Sequence, residues 1–405
     1  MVARLLATIC LVMLAAIAPG QSAGAASDRK WVDAWAVSYL STTVNGKPQP
    51  VPTFSNQTLR MNMFIKLGGT ALRVKFSNRF STKPVVIGEA HVASRRSTSG
   101  ADTVPETDRV LTFDGARTLK LEPDKEAWSD PVDLAVKQHE DLTVSVFLPE
   151  TTTPEAFHPT GLKTQFIAAG DHCGDATMPS AGPGSRSVMY FFISDIQVLA
   201  PAKSQVIVAL GDSITDGAAS ANDANGAWPD VLSKRLPALP DGTPVSVINM
   251  GIGSNRLVTS DAAGPAGLKR LEDDVLSRPN VSYLILLEGI NDISYEQAAA
   301  EELIAAYGQV IDQAHAKGIK VFGATLLPIQ NSRKDTPANE ATRQVVNQWI
   351  RESHRFDAVL DFEKVVQDPQ NPLRISKELT GDYVHPNTEG YRLMGESVPL
   401  DLFAK

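Results

Sequence analysis

The stretch Gln205-Val206-Ile207-Val208-Ala209-Leu210-Gly211-Asp212-Ser213-Ile214-Thr215-Asp216-Gly217 joins an unbroken apolar run to a polar turn bounded by glycines. A short run this continuously apolar and rich in β-branched residues predicts a strand buried on both faces, as in a parallel sheet. Ser213 would then stand just past the strand's carboxyl end, at the start of a helix. Free backbone amides and the helix dipole favour negative charge at that place. A Gly-Asp-Ser turn alone reads equally as ordinary turn chemistry, and its position after a buried strand is what singles it out.

Downstream, apolar strands at residues 245–248, 283–287, 321–324 and 359–361 alternate with helical patterns at 268–276, 301–316 and 341–354. This alternation predicts an α/β unit with a parallel sheet covered on both faces. Ligands of such sheets bind outside the carboxyl ends of the strands, which directs attention to the loops after residues 210, 248, 287 and 361.

Upstream the texture differs. Apolar residues alternate along 59–65 and at Leu72, Val74 and Phe76. Further runs cover 85–90, 142–147, 165–168 and 187–199, punctuated by Ser77-Asn78, Asp114-Gly115 and Pro123-Asp124. Many short strands with turns at this spacing predict an all-β sandwich of jelly-roll type. The change falls at Leu199-Ala200-Pro201-Ala202-Lys203. The expected organisation is residues 1–25 as a signal peptide, 28–200 as the β-sandwich and 205–405 as the α/β domain. The first segment has a basic start ending at Arg4, an apolar run from Leu5 to Ala18 and small residues at Ala23-Gly24-Ala25. That run is shorter than the roughly 20 residues of a permanent span. The mature chain is therefore expected to lack a membrane span and to be secreted or periplasmic.

Three more loops carry candidate chemistry. Asn249-Met250-Gly251-Ile252-Gly253-Ser254-Asn255-Arg256 follows the second strand, and glycine there lets a backbone N–H approach a ligand oxygen. It lacks the Lys-Ser/Thr ending of a phosphate-binding loop. Glu288-Gly289-Ile290-Asn291-Asp292 follows the third strand. Asn291 there can donate to an oxyanion or cap a helix, and Asp292 can take the other of the two roles. Near the end stands Gly381-Asp382-Tyr383-Val384-His385-Pro386-Asn387. An Asp three residues before a His can hold Nδ1–H and leave Nε2 as a base. Taken alone the pair serves equally as a structural hydrogen bond or a metal pair.

In this order on successive strand ends, GDSITDG with Ser213, NMGIGSN with Gly251, GIND with Asn291 and DYVHP with Asp382 and His385 resemble the four blocks of the SGNH/GDSL hydrolase family. Isoleucine stands where the family's name has leucine. The resemblance implies a flavodoxin-like parallel sheet and a serine esterase. Ser213 is the implied nucleophile, His385 the base and Asp382 its orienting acid. The N–H groups of Ser213 and Gly251 with the Asn291 side chain are the implied oxyanion hole, and neither metal nor cofactor is needed. The stretches Ser77-Asn78-Arg79-Phe80 and Ile87-Gly88-Glu89-Ala90-His91-Val92-Ala93 extend the likeness to bacterial esterases grouped with a xylan-cluster acylhydrolase, the XynE-like branch. The expected substrate is a short acyl ester, with acetylated polysaccharide as a candidate.

The whole chain sets bounds on this. It has 405 residues and a formal charge of −8 without a long basic run, a poor basis for a nucleic-acid partner. Of its two cysteines, Cys10 lies in the leading apolar run, so the mature chain keeps only Cys173 and no internal disulfide. The flanking Asp171-His172 and Gly174 place Cys173 in an expected surface loop rather than a metal site. His91, His139, His158, His172, His315 and His354 read as surface or packing residues. Trp31, Trp35 and Trp128 read either as core or as sugar-stacking surface. The rival functions are a lipase, acyltransferase or thioesterase with the same triad, a metal-dependent hydrolase, or an inert carbohydrate-binding protein.

Overall fold

A computed structural model describes residues 28–44, 47–179, 186–260 and 264–404, so the expected signal segment and Cys10 lie outside the described residues. The upstream strands form two main antiparallel sheets. Strands β1 (Arg29–Ala36), β3 (Leu72–Ser77), β6 (Glu126–Trp128) and β10 (Ile193–Pro201) make one, in the order β1-β10-β3-β6. The other runs β9-β8-β2-β7-β4-β5, built from β2 (Gln57–Phe64), β4 (Glu89–Ser94), β5 (Arg109–Val110), β7 (Asp141–Leu148), β8 (Gln165–Ala169) and β9 (Arg186–Ser187). In β3 the alternation is plain: Leu72, Val74 and Phe76 are buried while Arg73 and Lys75 face outward. The Arg73 guanidinium lies over the rings of both Trp31 and Trp128, 4.8 and 4.5 Å from their centroids. These two tryptophans therefore stack on a cation, while Trp35 packs in the core edge-on to Tyr190.

The polar face of β2 is buried too, which corrects one expectation. Arg60 is fully enclosed and donates to the carbonyls of Ala101 (3.0 Å), His172 (2.8 Å) and Asp175 (2.7 Å) and to Ser145 Oγ (2.9 Å). A guanidinium needs several acceptors when it leaves water. Carbonyls of the 172–175 turn supply two of them and fold that turn over the sheet. Cys173 is buried as a result, not on the surface, with Sγ 3.6 Å from the Glu89 carbonyl, and burial pushes its thiol up.

The downstream half is a parallel sheet of β11 (Gln205–Gly211), β12 (Val245–Gly251), β13 (Val281–Leu287), β14 (Lys320–Ala324) and β15 (Ala358–Leu360), in the order β12-β11-β13-β14-β15. It is packed with α1 (Ser213–Asp216), α2 (Trp228–Arg235), α3 (Gly267–Leu271), α4 (Ala300–Ala316), α5 (Pro337–Glu352), α6 (Phe362–Val366) and α7 (Thr388–Ser397). The fold is thus the flavodoxin-like α/β arrangement behind antiparallel β-sheets. The helix expected over 268–276 is α3 continued by a π-helical turn, Glu272–Leu276. Val206 to Leu210 have no exposed surface. Strand order reverses at β11, and Gly211 lies in register with Gly251 on one side and Leu287 on the other. Three successive loops therefore leave the sheet side by side at its switch point.

The two halves are joined by buried charge. Arg278 is salt-bridged to Asp33 of β1, 3.2 Å away, and to Asp195 of β10. Burial pushes both carboxyls up. Asp195, which also has Lys75 at 3.1 Å, is nevertheless held down to about 2, whereas Asp33, with Arg278 shared, stays above its ordinary value. Lys66 pairs with Asp230 of α2, and Asn280 Nδ2 donates to the Trp31 carbonyl at 2.9 Å. Removing one partner of a buried pair strands the other charge, at a cost of about 3–5 kcal/mol. Arg278→Met is accordingly expected to lower unfolding free energy by about that amount in urea titrations. A loss under ~1 kcal/mol, the range of exposed pairs, would show that Arg278 is not what docks the sheets.

Candidate active site

The serine turn is shaped by the residues around it. Asp212 caps α1, its Oδ1 accepting the N–H of Ile214 at 2.9 Å, and the single helical turn stops at Gly217 with φ 102. At Gly211 a Cβ would lie 2.2 Å from Thr215 Oγ1 and 2.4 Å from the Leu287 carbonyl oxygen. Only glycine lets the chain bend this tightly against its neighbouring strand.

Ser213 Oγ lies 2.9 Å from His385 Nε2, and His385 Nδ1 lies 2.8 Å from Asp382 Oδ2. The other carboxylate oxygen of Asp382 accepts the N–H groups of Val384 (2.9 Å) and His385 (2.8 Å). Burial pushes the Asp382 carboxyl up, but these bonds and the imidazole outweigh it and hold it below its ordinary value. An ionised carboxylate accepts only, so Nδ1 carries the proton and Nε2 is left to receive the serine proton. Thr380 Oγ1 fixes the loop, donating to the His385 carbonyl at 2.8 Å and accepting the Tyr383 N–H at 2.9 Å. Tyr383 sits at φ 58, a conformation costly for a bulky residue and held here by those bonds.

The remaining sequence candidates lie close by with partners of their own. The Gly251 N–H is donated to Asn249 Oδ1 at 2.9 Å, and a Cβ at 251 would lie 2.2 Å from the Asp216 nitrogen. Its glycine character serves the contact of β12 with α1. Further along the same turn Ser254 is exposed at φ 63, and its N–H has no acceptor among the described residues. Asn291 is buried. Its Nδ2 donates to the Asn255 carbonyl at 2.9 Å and faces Asp212 Oδ2 at 3.4 Å, too long for a strong bond. Neighbouring Asp292 does not cap its own helix. It accepts the N–H groups of Leu257 and Val258, each at 2.9 Å, and so holds the preceding loop.

Two further residues of the candidate site, Lys334 and Arg270, are absent from the sequence expectations. Lys334 is buried and donates to Asn291 Oδ1 at 2.7 Å, with its ammonium 4.2 Å above the Tyr295 ring. It sits in the loop after β14, the one strand end that sequence reading passed over, and the strand-end rule itself could have found it. Arg270 of α3 donates to the carbonyls of Gly211 (2.9 Å) and Met250 (2.7 Å), to Asn255 Oδ1 (2.9 Å) and to Asp274 (2.7 Å), and reaches Glu288 at 3.4 Å. No local pattern marked it. Burial pushes Asp212 up to about 6 and Glu288 well above its ordinary range, against the pull of Lys334 and Arg270 respectively. Burial also pulls Lys334 down to about 8. Among the described residues no three His, Cys, Asp or Glu side chains gather as a metal site would require.

Residues 209–393 match the family model of GDSL-like lipase/acylhydrolases. No curated protein matches the chain. Solved structures similar to it include Est24, a carbohydrate acetylesterase from Sinorhizobium meliloti, at 17% identity and TM-score 0.39, covering 49% of this chain and 98% of that one. The native aryl esterase of M. smegmatis aligns at 17% identity and TM-score 0.38, over 48% of this chain and 95% of its own. A member of the lipolytic protein G-D-S-L family from Veillonella parvula aligns at 22% identity and TM-score 0.38, again over 48% and 95%. Likenesses this remote do not speak to substrate.

The low affinity of Lys334 for its proton has a consequence for stability. Between about pH 8, where it discharges in the fold, and about 10.4, where a free lysine does, the unfolded chain binds the extra proton. Stability contributed by this residue therefore rises with pH across that window, by at most ~1.4 kcal/mol per unit. The difference in unfolding free energy between wild type and Lys334→Met, measured from pH 7 to 10.5, should show this slope. A difference independent of pH would place the lysine's proton affinity at its ordinary value.

Proposed function

We propose that the chain, whose residues 209–393 match the family model of GDSL-like lipase/acylhydrolases, is an exported serine esterase acting through Ser213, His385 and Asp382. The observation that carries this reading is the continuous chain from Ser213 Oγ to His385 Nε2 at 2.9 Å and from His385 Nδ1 to Asp382 at 2.8 Å. Ser213 Oγ attacks the ester carbonyl as His385 Nε2 takes its proton. His385 then returns that proton to the leaving alcohol. Asp382 keeps the imidazole in the tautomer that can accept and stabilises the imidazolium. Water hydrolyses the acyl-enzyme by the reverse proton route.

The tetrahedral oxygen develops full negative charge and needs donors already in place. Ser213 N–H, at the start of α1, is one donor. The Asn291 amide is a second, since its longer hydrogen bond to Asp212 is easily exchanged for one to an oxyanion. The N–H of Gly251, the third donor implied by resemblance, is engaged with Asn249 Oδ1. The unclaimed N–H of Ser254, on the same turn, takes its place in this proposal. The proposed substrates are short acyl esters, with acetyl groups on polysaccharide as the natural candidate. The proposed export rests on the leading basic, apolar and small-residue segment.

Hydrolysis of p-nitrophenyl acetate, butyrate and octanoate by residues 26–405 tests the assignment. Acetate is expected to turn over fastest, and Ser213→Ala should lose the activity with an unchanged circular dichroism spectrum. A folded Ser213→Ala that still hydrolyses the ester sinks the proposal, and faster octanoate turnover replaces the short-chain part with a lipase-like one. Asn291→Ala is expected to lower kcat by about 10²–10³, and a loss under threefold would remove Asn291 from the oxyanion hole.

A further inference from the structure

One side chain of the N-terminal sheets reaches the underside of the serine turn. His158 is anchored in the sandwich by two backbone hydrogen bonds with Tyr190, both 3.0 Å. Its ring points the other way. Nδ1 lies 3.0 Å from the Ser38 carbonyl oxygen and Nε2 lies 3.2 Å from Oδ1 of Asp216, the last residue of α1. The two side chains are 4% and 5% exposed. A carbonyl oxygen accepts only, so Nδ1 holds a proton, and a second proton is shared between Nε2 and the carboxylate. Burial pushes the imidazole down, yet the Asp216 charge carries it above its ordinary value. The Asp216 carboxyl is itself pushed up by burial against the pull of His158.

Asp216 does not end the chain of contacts. Its backbone packs against Gly251, where a Cβ would lie 2.2 Å from the Asp216 nitrogen, and Asn249, which accepts the Gly251 N–H at 2.9 Å, donates from Nδ2 to the Thr215 carbonyl at 2.7 Å. The segment after His158 closes on the same turn. Leu162 is held at φ 52 with Cδ1 2.9 Å from where a Cβ of Gly217 would stand, and its carbonyl accepts the Asp223 N–H at 2.8 Å. Asp223 in turn accepts from Thr164 Oγ1 at 2.5 Å and from Arg95 at 3.2 Å. A leucine kept in a left-handed conformation needs surroundings that over-determine it. Here the loop beyond the serine turn helps to supply them.

We propose that His158 is a positioning residue of the esterase centre, clamping Asp216 and through it the turn that carries the Ser254 N–H, so that the N-terminal sandwich is part of the catalytic frame rather than an appended module. This rests on the serine-esterase reading given above. His158 touches no substrate. Its effect is to hold α1 and the oxyanion turn at one separation, where an error near 1 Å costs about 10²-fold.

The test is kinetic, on the full mature chain. His158→Ala, and His158→Met as a variant that refills the volume, are expected to lower kcat on p-nitrophenyl acetate ten- to a hundredfold with KM within twofold. His158→Gln keeps a donor towards Asp216 and should recover kcat to within about fivefold of wild type. His158→Ala combined with Asp216→Asn should be no slower than the slower single variant, because the two act through one contact. The proposal is overturned if a folded His158→Met turns over at the wild-type rate, if the loss lies in KM, or if neither His158→Ala nor His158→Met folds, which would make the ring a fixture of stability alone. Fluorophosphonate labelling of Ser213 separates the two readings. A wild type that is not labelled sinks the serine esterase itself, whereas equal labelling rates in wild type and His158→Met sink only the clamp.

Discussion

Arg270 is the group on which the geometry of the switch point depends. A guanidinium out of water must fill its donors, and this one does so with the carbonyls that end β11 and β12, the side chain of Asn255, and two carboxylates. The carboxyl ends of two adjacent strands are thereby tied to the turn 251–255 and to Glu288 after β13. A parallel sheet alone fixes where strands end only to the accuracy of its hydrogen-bond ladder. A five-donor cation converts three loose loop origins into one rigid corner. Ser38 from the N-terminal region enters the same corner, its hydroxyl 2.6 Å from Asp274.

Much of this was legible in the sequence, for a reason that also sets the limit. The continuous apolar run at 205–210 and the alternation at Leu72, Val74 and Phe76 distinguish parallel from antiparallel packing without any long-range information. Ser213, Asn291, Asp382 and His385 could be read because each follows a strand or stands in a short local pattern, and the structure brings them within a few ångströms. Lys334 and His158 could not be read in the same way. Their partners, Asn291 and Asp216, lie 43 and 58 residues away, and the burial that gives them meaning is created by other segments. Cys173 shows the same limit from the opposite side. Its Gly and Asp neighbours do form a loop, but the need of Arg60 for carbonyl acceptors draws that loop inward.

The tryptophans make a related point. Trp31 and Trp128 were open to two readings, core or exposed platform, because aromatic side chains suit either. Neither describes them. They enclose Arg73, whose guanidinium also donates to Gln197 at 2.7 and 3.0 Å. The ring faces turned to Arg73 are occupied by a protein cation and are not available to stack on a sugar. The contacts that tie the β-sheets to α1, α2 and the turn before β13 instead concentrate on the hydrolase half.

The charge inventory under the serine turn runs against the proposed reaction, which must stabilise a developing oxyanion. Asp212, Glu288 and Asp292 are all buried there. Three full negative charges in a poorly solvated place would oppose the reaction. Two features remove the conflict. Burial pushes Glu288 well above the ordinary carboxyl range and Asp212 up to about 6, so burial itself opposes full ionisation of the cluster. Arg270 and Lys334 are placed against the same groups, and Lys334 bonds the very amide oxygen whose partner nitrogen would face the oxyanion. A cation on the oxygen of an amide draws electrons from its N–H and strengthens it as a donor. The carboxyls therefore act as acceptors that fix loops, and in the proposed reaction the cations and oriented N–H groups are what would face the developing charge.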